Sequence, residues 1–154
     1  MGTYVSPLIA ILLLRASKII SSIHLIERED RIYPYITGAA CAFATAAFLR
    51  TAMAPMEIYL SVYGTAFVLI VSTILIPYFK SSAHMAGAAG FFALYLCLHQ
   101  RYGVGRPEYL LLLLVVLGAV AWSRISLKRH TLQELLSGGL LGFFTVYALL
   151  SQQS

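Results

Sequence analysis

Six stretches of this 154-residue chain contain no Asp, Glu, Lys or Arg: 1–14, 32–49, 58–79, 81–100, 109–123 and 135–154. Most approach the ~20 residues that a helix needs to cross a ~30 Å hydrocarbon layer, and flanking residues extend the shorter ones. Composition agrees, with 60% hydrophobic and 11% charged residues, where soluble domains carry about 45–50% and about 25%. The runs predict an all-α fold, a polytopic membrane bundle of about six transmembrane helices. Its length suits one domain over residues 1–154. The first run is the weakest, because Arg15 and Lys18 follow it closely and have to snorkel or lie at the interface. Its charges come after the apolar stretch, the reverse of a signal peptide, which predicts a retained segment.

Six crossings with short connectors fix which gaps share a side. One side, face A, is expected to hold the gaps near Glu27–Arg31, Phe79–His84 and Ser123–His130; face B holds Arg50–Glu57, His99–Glu108 and both termini. The net charge of +5 is therefore scattered over short gaps and builds no continuous cationic surface, so nucleic acid is not an expected partner. Cys41 and Cys97 lie far apart inside apolar runs and read as buried thiols, not as a metal pair or a disulfide. Small residues recur in "AGAAG" (Ala86 to Gly90) and in the Gly138/Gly142 pair, a spacing that lets helices approach closely in lipid.

The gap "SRISLKRHTLQE", Ser123 to Glu134, carries the first candidate chemistry. His130 and Glu134 are four apart at the head of the last run and can share one helical side. A carboxylate there can hold the imidazole tautomer that leaves the other nitrogen nucleophilic. Arg124 offers a planar fork of donors suited to a phosphate. The same residues have a structural explanation. "TLQE" fits a capping box in which Glu134 reaches back to the helix start, and Arg124, Lys128 and Arg129 suit interfacial anchors.

The second constellation is "FKSSAHMAGAAG", Phe79 to Gly90. Lys80, Ser81, Ser82 and His84 precede or open a helix whose early residues are small, leaving free backbone N–H groups at a positive dipole end. His84 is a candidate general acid for a departing alkoxide. Against this, serines before a helix also serve as caps.

Together the two stretches resemble the type 2 phosphatidic acid phosphatase superfamily, and the R-x-x-P of "EREDRIYP", Glu27 to Pro34, looks like the variant of a shorter bacterial branch of it. "KSSAH" is similar to its K-x-P-S-G-H type motif and "SRISLKRHTLQE" to its S-R-x-x-x-x-x-H-x-x-x-D motif, in the same order and with a pair of helices between. The resemblance implies a membrane lipid phosphatase that uses neither metal nor cofactor, in a bacterial inner membrane. It implies that His130 is the nucleophile that becomes a phosphohistidine, Glu134 its orienting acid and His84 the general acid. Arg124 and Ser82 would bind phosphate, with Lys80 as a further contact.

Three departures accompany the resemblance. Glu134 stands for Asp, keeping the charge on a longer arm, and Ser81 and Ala83 stand for Pro and Gly. The family's first motif, K-x-x-x-x-x-x-R-P, has no literal copy before "KSSAH"; its nearest substitute is "EREDRIYP", where Arg28 and Arg31 are three apart and Pro34 follows. Two guanidinium groups at helical spacing can hold one anion, although Glu27, Glu29 and Asp30 are equally placed to pair with them in a solvated loop. "RYGVGRP", Arg101 to Pro107, contains a literal R-P but falls on face B, so Arg101 and Arg106 are expected to be surface anchors. His24 and His99 match no motif.

The expected function is thus hydrolysis of a phosphomonoester or pyrophosphate of a membrane lipid, with the bilayer and a lipid phosphate as partners. Two alternatives share the sequence features: a protein that binds or transports a lipid phosphate without hydrolysis, and a structural membrane protein whose charges are topological. Eight of the eleven Lys and Arg residues fall on face A. The positive-inside rule would make that face cytoplasmic, but cations recruited for phosphate count in the same tally, so the side stays open.

Overall fold

The computed structural model describes residues 32–78 and 80–152. They form five α-helices: α1 (Ile32–Thr51), α2 (Met56–Leu75), α3 (Ala83–Tyr102), α4 (Glu108–Ser126) and α5 (Leu132–Ser151). Among the described residues there is no strand. Each helix covers one of the last five uncharged runs, with ends displaced by at most four residues. Four of them, α1, α2, α4 and α5, are long and apolar enough to cross a membrane. The expected number of about six is not reached. The first run lies outside the described residues, and α3 is diluted by His84, His99, Gln100 and Arg101 at its ends and by a Gly/Ala-rich first half.

Contacts divide the chain between Lys80 and Ser81 into two compact units. In the first, α1 and α2 form an antiparallel hairpin: Gly38 faces Leu69 and Phe43 stacks edge-on against Tyr63 at 5.2 Å. The turn is a left-handed helix cap. Met53 takes φ 56°, Ala54 N–H donates to the Leu49 carbonyl at 3.0 Å and Met53 N–H to that of Arg50 at 3.2 Å. Pro55 then opens α2, at a position where its missing N–H costs no helical bond.

In the second unit α3 and α5 are the tightly packed pair. Gly138 lies on Ser82, Gly142 on Ala86 and Gly90 on Val146. Equal steps of four along both helices mean that they run parallel, with their N-termini at the same end. The approach requires glycine: a Cβ on Gly138 would stand 2.5 Å from the Ser82 carbonyl oxygen, and one on Gly142 would overlap the Ala86 carbonyl. Such contact supplies dispersion and closeness where lipid removes the hydrophobic drive between helices. Leu135, 1% exposed, and Leu150 lie buried near the two ends of α5.

The helix α4 connects them in the chain and packs against α3, antiparallel to it, and none of its residues is buried. It ends in the same motif as α1. Lys128 takes φ 51°, Arg129 N–H donates to the Arg124 carbonyl at 3.0 Å and Lys128 N–H to that of Ile125 at 2.8 Å. This closure turns the chain at once into the head of α5.

Candidate active site

The parallel packing of α3 and α5 brings "SSAH" and "RHTLQE" to one end of the second unit. The link is direct: Ser82 N–H donates to the Glu134 carbonyl at 3.0 Å, and the Ser137 hydroxyl donates to the same oxygen at 3.1 Å. The α4 C-terminus arrives at this end too. His84, Ser123 and Arg124 line one cleft of about 350 Å³, whose remaining walls are Val116, Ala119 and Val120.

Glu134 makes both of the contacts that its sequence position allowed. Its Oε2 lies 3.0 Å from His130 Nδ1 and also accepts the Thr131 backbone N–H at 3.0 Å. In return Glu134 N–H donates to the Thr131 hydroxyl at 3.3 Å, completing a capping box. One carboxylate oxygen therefore starts the helix and holds the imidazole. The His130 side chain is only 7% exposed and that of Glu134 18%. With the carboxylate ionised, the imidazole proton is held on Nδ1 and the lone pair sits on Nε2, the tautomer a nucleophilic histidine requires.

Ser82 is the N-cap residue of α3, yet its side chain makes no cap hydrogen bond. Ser82 is fully buried, at 0% exposure, and its hydroxyl has no hydrogen-bond partner among the described residues. The Nε of Arg124 is likewise buried and without a partner. Buried polar atoms left unmatched cost about 1–3 kcal/mol each, so two of them, one at the head of α3 and one in the last turn of α4, call for an explanation. Both are suited to phosphate: a hydroxyl and a guanidinium N–H, beside the positive N-terminal end of α3.

Of the remaining expected residues, Lys80 is half-buried and ends the first unit. Arg28 and Arg31 lie outside the described residues, as does His24. Arg101 and Arg106 are kept at the other end of α3, about 25 Å from His84 along the helix axis. There Arg101 donates to the Leu150 carbonyl at 3.0 Å, capping the end of α5, and Arg106 pairs with Glu108 at 3.3 Å on the exposed surface. His99 Nδ1 lies 3.2 Å from the Val104 carbonyl in the same outlying turn.

Two contributors went unrecognised in the sequence. Gly138 was legible as a packing glycine but not as the seat of Ser82. The stripe Val116, Ala119 and Val120 was legible only as part of a long apolar run. The first could have been suspected from its spacing, eight residues after His130; the second carries no residue type that separates it from lipid-facing neighbours. No family model, curated protein or solved structure matches the chain.

Proposed function

We propose that this chain is an integral membrane enzyme that hydrolyses a phosphomonoester or pyrophosphate of a membrane lipid through a phosphohistidine, as its resemblance to the type 2 phosphatidic acid phosphatases implies. The observation that carries the reading is the pairing of His130 Nδ1 with Glu134 Oε2 at 3.0 Å in a nearly buried imidazole. The unmatched Ser82 hydroxyl and Arg124 Nε support it as phosphate ligands. Four helices apolar enough to cross a membrane support the location. We take α3 as a further span, its polar ends meeting the interfaces, and on the resemblance alone assign the chain to a bacterial inner membrane.

In the reaction His130 Nε2 attacks phosphorus and the bond to the lipid oxygen breaks. His84 gives its proton to that oxygen, releasing the lipid alcohol, or the lipid monophosphate where the substrate is a pyrophosphate. Arg124, Ser82 and the α3 N-terminus hold the charge that gathers on the non-bridging oxygens. Water then attacks the phosphohistidine, His84 takes its proton, the P–N bond breaks and inorganic phosphate leaves with both histidines restored.

Purified protein in detergent, offered a set of lipid phosphates, should release inorganic phosphate, and His130→Ala should abolish the release. Tight binding of a lipid phosphate with no release by the unmutated protein would instead identify a non-catalytic binding or transport protein.

A further inference from the structure

The cleft that holds His84 and Arg124 is not a polar bowl. Its α4 wall consists of Val116, Ala119, Val120, Ser123 and Arg124, residues at three- and four-step spacing that form a single stripe on the helix. The stripe is apolar over its first turn, Val116 to Val120, and polar over its second, Ser123 and Arg124. It extends about 12 Å along the axis from Val116 to Arg124. No residue of α4 is buried and Val116 is 45% exposed, so the groove is open along its length to whatever surrounds the helix.

We infer that this groove seats the hydrocarbon chain of the lipid phosphate, against Val116, Ala119 and Val120, while its phosphate meets Arg124 and His84. The inference rests on the lipid phosphatase reading and adds where the chain lies. Charge complementarity fixes the orientation: the cationic end of the stripe receives the anionic head, and the uncharged end receives the tail. Access is then sideways, from the bilayer that α4 faces, and not from water above the helix ends.

Physical chemistry also limits what the groove does. The chain passes from lipid to an equally apolar wall, so its seating contributes little affinity per methylene. Shape decides instead. Ala119, the smallest wall residue, leaves the width of the groove, and a large side chain there closes it.

The test uses the full-length protein in detergent and a single-chain alkyl phosphate that carries a diazirine in mid-chain, with adducts mapped by mass spectrometry. Adducts are expected to concentrate on Val116, Ala119 and Val120. An excess of unlabelled alkyl phosphate should suppress them at least tenfold, and the corresponding alkyl alcohol should not. Ala119→Phe should remove them and lower the ratio of long-chain to short-chain phosphate turnover at least tenfold. Adducts spread evenly over Leu111, Leu112, Leu114 and Val115, insensitive to competitor, would overturn the inference.

Labelling is independent of chemistry, so the two claims fail separately. Competed adducts in the groove without phosphate release would sink hydrolysis and leave the groove as a binding site. Phosphate release abolished by His130→Ala, with scattered labelling, would sink the groove and leave the enzyme.

Discussion

Glu134 Oε2 lies 3.0 Å from His130 Nδ1 and 3.0 Å from the Thr131 backbone nitrogen, so one oxygen both closes the helix cap and holds the imidazole. Substitutions should separate them. Thr131→Ala removes the hydroxyl half of the capping box and should cost about 1 kcal/mol of stability with little effect on turnover. Glu134→Gln keeps an acceptor for Thr131 N–H but withdraws the charge that holds the imidazole tautomer. It should lower turnover by roughly 10²- to 10⁴-fold with a small change in stability. Thermal unfolding and phosphate release measured on both variants check the split.

Ser82→Ala is expected to move stability and activity in opposite directions. The hydroxyl is fully buried without a partner, so its removal relieves a cost of about 1–3 kcal/mol and should raise the unfolding temperature in the absence of ligand. If the hydroxyl binds phosphate, the same variant loses affinity for orthophosphate or vanadate. A cap or packing serine would lose stability and leave inhibition by these anions unchanged.

Gly138→Ala should act on the site through Ser82. The added Cβ would stand 2.5 Å from the Ser82 carbonyl oxygen and 2.9 Å from its nitrogen, forcing α3 away from the head of α5. The expected result is a loss of about 1–3 kcal/mol with a disproportionate fall in turnover. Gly87 is the comparison, since a Cβ there meets nothing within 4 Å. Gly87→Ala should be neutral or stabilising by up to ~1 kcal/mol, because alanine is the better helix former.

Lys128 holds a left-handed conformation, φ 51°, in the turn that joins Arg124 to His130. Lys128→Gly should relieve that strain and stabilise by roughly 1 kcal/mol. Lys128→Val, whose branched side chain tolerates positive φ least, should destabilise by more than that. Equal unfolding temperatures for the two variants would argue against the left-handed cap.

Much of the helical layout was legible because uncharged runs and charged gaps obey a length rule set by the bilayer, and α1 to α5 follow those runs. The shared end of "SSAH" and "RHTLQE" was legible in the same runs, since one helix between α3 and α5 reverses the chain twice, and the two pack parallel with their N-termini together. The double use of Glu134 was not. A capping box needs Glu three residues after Thr131, and an imidazole partner needs it four after His130; both patterns name the same residue, and only the geometry of Oε2 shows that they coexist. Nor was the vacant bonding capacity of Ser82, because a serine before a helix caps it in most chains, and whether it does so depends on a side-chain rotation that no spacing encodes. The count of about six spans is not reached among the described residues, because the first run lies outside them and because polar ends and small residues lower the apolarity of α3 without shortening it.

The central claim is that His130 becomes phosphorylated. Detergent-solubilised protein mixed with a lipid phosphate and quenched in alkali within milliseconds, where phosphohistidine survives, should yield a phosphorylated peptide containing His130, absent from His130→Ala. Phosphate release that persists in His130→Ala, with no phosphohistidine in the unmutated protein, would contradict the account.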